Sequence, residues 1–241
     1  MFRSGRAERG VRIMAVTAFL SIAALATAVA QDSPGPTASP TPTPLPSATI
    51  SPARNVRLSF VPPPMDGTIS FGIFDVNRKL VRVLHREAAV KDFTIAADAL
   101  VTTWDGKNDA GEDLPPGRYR ARGYLVAHFK IEDLGKTATP PGNDGLDHVA
   151  VKLVTNPLVS DTRSVVDLGV GFDDKGSFLK TMDGLPLCTV SKTPNLIRAL
   201  ITKSGEKSVD VWEDDGTAVE QLRISNIDKM MAFDCGHFEL K

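Results

Sequence analysis

Residues 67–74, GTISFGIF, alternate apolar and small polar side chains, with Ile69, Phe71 and Ile73 on one face and Thr68 and Ser70 on the other. That is the period of a half-buried strand. The pattern recurs in short pieces and sets the fold class. DVNR (75–78) carries the Asp and Asn of a tight hairpin turn, and KLVRVLH (79–85) reads as the return strand. ALVTTW (99–104) and RYRARGYLVAHF (118–129) are two more strands. Between residues 55 and 128 no stretch beyond a weak REAAV holds a helical period. Short strands cut by regularly spaced turns predict a β-sandwich.

The most densely punctuated segment is TTWDGKNDAGEDLPPGRYR, residues 102–120. Trp104 ends a strand as a core anchor. Asp105-Gly106 and Asp109-Ala110-Gly111 are turns, and Pro116-Gly117 bends the chain into the next strand. DGKNDAGE has the outline of a calcium loop, which needs oxygen ligands at its first, third and fifth positions. Those positions hold Asp105, Lys107 and Asp109, and the lysine ammonium would repel the cation. The segment is therefore read as scaffolding.

On these residues, KLVRVL followed by TTWDGKNDAGEDLPPGRYRARGYL, the chain resembles the Ig-like domain of flagellar hook-capping proteins. The resemblance covers about 55–128 and implies an immunoglobulin-like sandwich with no catalytic residues. Nothing in the chain is similar to the rod- or hook-binding part of a capping protein, so a role in flagellar assembly is not implied.

Beyond IEDLGKTATPPGNDGLD (131–147), taken as the connection, the chain repeats. HVAVKLVT (148–155) matches NLIRALIT (195–202), and Cys188 and Cys235 are again 47 residues apart. SVVDLGVGFDDKGSFLKTM matches SVDVWEDDGTAVEQLRI, each with an acidic turn ending in glycine. Four short strands per unit resemble a propeller blade, although two blades cannot close a ring. The expected architecture is all-β: an Ig-like β-sandwich (54–130), a connecting loop (131–147), and a small antiparallel β-domain of two blade-like four-stranded repeats (148–194 and 195–241). To cover open edges, LPLCTVS is expected to complete the sheet of 195–225. MMAFDCGHFEL (230–240) is expected to return onto VAVKLVT, placing Cys188 and Cys235 as symmetry mates. A disulfide would then form if their Cα atoms lie within about 7 Å.

The N-terminus gives the expected address. Arg3, Arg6, Arg9 and Arg12 precede an uncharged run to Ala30, and Ala28-Val29-Ala30 has the small-x-small form read by signal peptidase. The run is short for a spanning helix, so a Sec-type signal peptide (1–30) cleaved after Ala30 is expected over a retained anchor, with no membrane span thereafter. The mature chain is then secreted or periplasmic. Residues 33–52 hold seven prolines, four serines and four threonines without a charge, and 31–53 is a tether. Without residues 1–30 the basic residues number 28−4 = 24 and the acidic 29−1 = 28, a net charge of −4. That balance argues against nucleic acid as a partner.

No nucleophile elbow, zinc-binding histidine pair, phosphate loop or dinucleotide fingerprint is present, so no catalytic residue, metal or cofactor is assigned. Asp173-Asp174 and Asp214-Asp215 have the look of glycosidase carboxylates but occupy turns in both repeats. The distinctive surface feature is Arg118, Arg120 and Arg122, which share one strand face while Tyr119, Ala121 and Leu125 share the other. Three guanidiniums in a row form a candidate clamp for an acidic polysaccharide or a protein carboxylate. The alternative is a solvated face balanced by neighbouring acids. The expected function is an exported, non-catalytic binding or structural module, its partner a protein or polysaccharide of the cell envelope, with self-association through the repeats as a further route. The competing reading is an accessory or remnant part of an extracellular enzyme with a propeller-like domain.

Overall fold

The computed structural model describes residues 54–137, 148–158 and 161–241. The signal segment, the proline-rich tether and the second half of the expected connection lie outside them. In chain order the strands are β1 (Val56–Phe60), β2 (Thr68–Phe74), β3 (Leu80–Ala88), β4 (Thr94–Ile95), β5 (Leu100–Trp104), β6 (Gly117–Val126) and β7 (Lys130–Thr137). They continue as β8 (Val149–Lys152), β9 (Val165–Asp173), β10 (Gly176–Thr181) and β11 (Pro186–Thr189). The last four are β12 (Arg198–Lys203), β13 (Ser208–Asp214), β14 (Val219–Ser225) and β15 (Met230–Leu240). The chain is all-β, apart from a short 3-10 turn at Val90–Asp92.

Four antiparallel sheets result, with strand orders β1-β5-β4, β15-β6-β2-β3, β11-β10-β9-β8 and β12-β13-β14-β7. The sheet β15-β6-β2-β3 is the hub, because both of its faces are used. Its inner face carries Ile69, Phe71, Ile73, Tyr119, Ala121, Leu125 and Phe233 against Leu58, Phe60, Leu100 and Trp104 of the three-stranded sheet. Phe233 stacks on Phe60 at 4.5 Å, and Trp104 meets Tyr119 edge-on at 5.2 Å. Its outer face contributes Phe74, Tyr124, Val126, Met230 and Ala232 to a second core. The rest of that core comes from the two other four-stranded sheets, led by Leu168, Leu179 and Leu187 on one and Val209, Val211 and Ile224 on the other.

The hairpin turns follow the sequence chemistry. Asp75 Oδ1 accepts the amides of Asn77 and Lys79, closing β2 onto β3. In the 105–116 loop Asn108 Oδ1 accepts the amides of Ala110 and Glu112, and Leu114 N–H returns to Gly106 O. The loop also covers an open edge: Asp109 Oδ1 accepts Val83 N–H and Arg82 donates to Asn108 O. Trp104, fully buried, donates its indole N–H to Lys107 O. The scaffold has a polar cross-link of its own at His85, whose Nε2 lies 2.7 Å from Thr102 Oγ1 and whose ring is 4.4 Å from Phe93.

Burial lowers the His85 pKa below 6.5, partly opposed by Asp92, so folding favours the neutral ring. Stability from this source is therefore complete above the unfolded value of about 6.5 and declines as pH falls through the lower folded value. The melting temperature is expected to fall between pH 7 and pH 5, and less so in a His85→Gln variant. Equal pH slopes in the two proteins would reject this assignment.

The strand pairing departs from the sequence expectation in three linked ways. LPLCTVS does not join the second repeat: β11 pairs with β10 and completes the first repeat's own sheet. The expected connecting loop supplies β7, which pairs with β14 and fills in the second sheet the place β11 holds in the first. MMAFDCGHFEL meets VAVKLVT through Val154 N–H, which donates to Met230 O, but forms no ladder with it: β15 pairs with β6 from Met230↔Val126 to Leu240↔Gly117. The physical reason is the alternation in β15. Phe233 faces the first core and Met230 and Ala232 the second, so the strand suits a sheet buried on both sides.

A bulge between Asp234 and His237, with Gly236 at φ +79°, then shifts the phase by one residue. Phe238 and Leu240 face the core as a result, and His237 and Glu239 face outward. The two cysteines are thereby placed against different cores. Cys188 packs on the second core and Cys235 on the first, and both are free thiols, so the anticipated disulfide is not formed.

Candidate anion-binding groove

The outer face of the hub sheet is only half covered by the repeats. Along β6 the same face carries Val126 and Tyr124 inside the second core, and then Arg122, Arg120 and Arg118 beyond its margin. The three arginines share that face, and their surroundings differ. Arg122 sits at the margin, with its guanidinium 4.1 Å above the Phe74 ring and paired to Asp183 in the β10–β11 turn. Arg120 pairs with Asp234 of β15. Arg118 is exposed and, among the described residues, has no side-chain partner. The same holds for Arg78, held in the β2–β3 turn at φ +65°.

Two adjoining clefts of about 350 and 380 Å³ flank the row, and Arg78, Arg120 and Arg122 line both. The first is bounded by Val76, Asp75, Arg118 and His237, and the second by Asp161, Arg163, Asp234 and Gly236. Five arginines and three aspartates line them, with Asp183 beside Arg122 as a fourth carboxylate. Each of those aspartates already has a partner: Asp75 in its turn, Asp234 with Arg120 and Gly236 N–H, and Asp161 with Arg163.

Arg163 builds one wall. Its Nε is 3.0 Å from both carboxylate oxygens of Asp161, and its Nη2 is 2.6 Å from Oδ2. Nη1 donates to Tyr124 Oη at 2.9 Å, and Nη2 donates to Phe233 O at 3.0 Å. The guanidinium also lies 4.7 Å over the Tyr124 ring. Burial pushes the Asp161 carboxyl up, but the hydrogen bonds from Arg163 more than reverse this and leave it below its ordinary value. This clamp fastens the segment before β9 to the hub sheet and fixes the depth of the second cleft.

No known family model, characterised protein or solved structure matches this chain. The groove must therefore be read from its own chemistry. It presents fixed guanidiniums with two uncommitted ones at the mouth, an arrangement that binds anions by charge-assisted hydrogen bonds.

The other sequence candidates lie elsewhere. Burial raises the thiols of Cys188 and Cys235 to about 12 each, with Glu87 and Asp234 adding to the effect, so neither is a thiolate at neutral pH. Asp173 and Asp214 accept amides in their own turns, from Lys175 and Gly216. Asp215 is held down to about 2 by the Thr217 hydroxyl and the amides of Ala218 and Thr217. Among the described residues no group of three or more His, Cys, Asp or Glu side chains could hold a metal ion. Sequence reasoning missed Arg78 and Arg163. Arg78 looked like an ordinary turn residue, and Arg163 reaches the site only through the packing of the first repeat on the hub sheet.

Proposed function

We propose that this chain is an exported, non-catalytic binding module of the cell envelope or extracellular space, and that it takes anionic ligands in the groove over Arg118, Arg120 and Arg122. The observation that carries the reading is the pair Arg78 and Arg118, two guanidiniums without a partner among the described residues at the mouth of a cleft. Solvated arginines are common on surfaces. Here, however, Arg120 and Arg122 on the same face are each held by an aspartate, which makes the floor of the groove rigid before a ligand arrives. The arginine-rich leader and the tether at 31–53 support export. The packing of sheet β1-β5-β4 on the hub sheet around Trp104 supports an Ig-like module of the hook-capping type.

Replacing Arg78 and Arg118 by Ala is expected to weaken binding of an oligosaccharide of acidic sugars by about tenfold. The melting temperature should stay within about 1–2 °C of wild type, since neither side chain is packed or paired. Calorimetric titration together with a thermal melt checks both halves. Unchanged affinity would reject the groove as the binding site.

A further inference from the structure

Building on the reading of the groove as an anion site, we infer that its ligand is a polysaccharide containing uronic acids, bound as an extended chain across both clefts. The first argument is reach. Alternate residues of a strand are roughly 7 Å apart, so Arg118 to Arg122 spans about 14 Å, and Arg163 and Arg78 extend the positive lining to either side. One carboxylate engages one or two guanidiniums; with Arg120, Arg122 and Arg163 already paired to aspartates, Arg78 and Arg118 are the two that meet ligand carboxylates, and a chain with a carboxylate on successive sugars serves both.

The second argument is the mixture of signs. Asp75 and Asp234 lie among the arginines and would disfavour a polymer that is anionic at every position, such as polyphosphate. A uronic acid supplies a carboxylate for an arginine and hydroxyl donors for an aspartate from the same ring, so both kinds of lining are met. Exposed Val76, at the rim of the first cleft, offers an apolar contact for the C–H face of a sugar. Recognition of this kind works through charge and hydroxyls rather than through stacking on aromatic platforms.

The third argument concerns peptides. The arginines stand on the face of a strand whose two edges are paired with β2 and β15, so an acidic peptide has no backbone edge to add to.

The experiment is calorimetric titration of the full chain with polygalacturonate, galacturonate monomer, polyphosphate and neutral dextran. Polygalacturonate is expected to bind with an affinity that falls steeply as salt is raised and by about tenfold in the Arg78→Ala/Arg118→Ala variant. Polyphosphate and the monomer should each bind about tenfold more weakly, and dextran should give no heat. Equal or tighter binding of polyphosphate, or equal binding of the monomer, would overturn the polysaccharide assignment and leave the anion groove standing. No binding of any anion would overturn both. Polygalacturonate binding that is indifferent to the double variant would place the polymer elsewhere and also reject the inference.

Discussion

Truncation after Asp228 is expected to abolish cooperative folding of the whole chain, not only of its C-terminal repeat. The deleted strand contributes Phe233 and Leu240 to the first core and Met230 and Ala232 to the second, and it pairs along most of β6. Its loss uncovers apolar side chains on both faces of the hub sheet and opens the edge of β6. The point substitution Phe233→Ala tests the same idea more gently. Phe233 is fully buried and stacked on Phe60 and Phe71, and removing such a ring costs about 3–5 kcal/mol. For a chain of this size that corresponds to a fall of roughly 10 °C in melting temperature. Urea unfolding followed by Trp104 fluorescence in a Trp212→Phe background should coincide with unfolding followed by far-ultraviolet circular dichroism. A truncated protein that still melts cooperatively, or two separated transitions in the full chain, would show that the two cores fold independently.

The second large effect is expected at Arg163. Replacing it by Ala leaves the Asp161 carboxylate, whose side chain is only 4% exposed, without its cation. Tyr124 Oη and Phe233 O lose donors at the same time. Breaking a buried pair by removing one partner costs about 3–5 kcal/mol, because an uncompensated charge remains inside. The double variant Arg163→Met/Asp161→Asn should recover a large part of that loss, since it removes the stranded charge and keeps the volume. Chemical denaturation of the three proteins measures both quantities. A single variant as stable as wild type would mean that the clamp has no role in stability, and a double variant no better than the single would mean that the stranded charge is not the cause of the loss.

The local features of the chain were legible. The alternation in GTISFGIF, the Asp75 turn, the punctuation around Trp104 and the two acidic turns of the repeats each depend on a few neighbouring residues and on backbone preferences. The arginine row was legible for the same reason, because residues two apart on a strand share a face. What sequence did not reveal was partnership. β7, β11 and β15 differ in length, at 8, 4 and 11 residues, but nothing local distinguishes which sheet each will join. The decision rests on burial on both faces of β15, together with a bulge at Gly236 that swaps inward and outward positions partway along the strand. A bulge of one residue inverts every subsequent side chain, so the uncorrected alternation would point His237 and Glu239 at the core. The groove inherits this difficulty. Arg163 and Arg78 come to it from separate hairpins and loops, brought together only by the way the repeats cover half of the hub sheet.

The groove is most directly tested by following the arginine side-chain Nε–Hε resonances by nuclear magnetic resonance while oligogalacturonate is added to the isotope-labelled protein. Resonances of Arg78, Arg118 and Arg120 are expected to shift together and to saturate with one midpoint. Those of Arg57, exposed on the sheet β1-β5-β4, should stay in place. Shifts centred on Arg57 or another surface, or none at all at saturating ligand, would contradict the assignment of this face as the binding site.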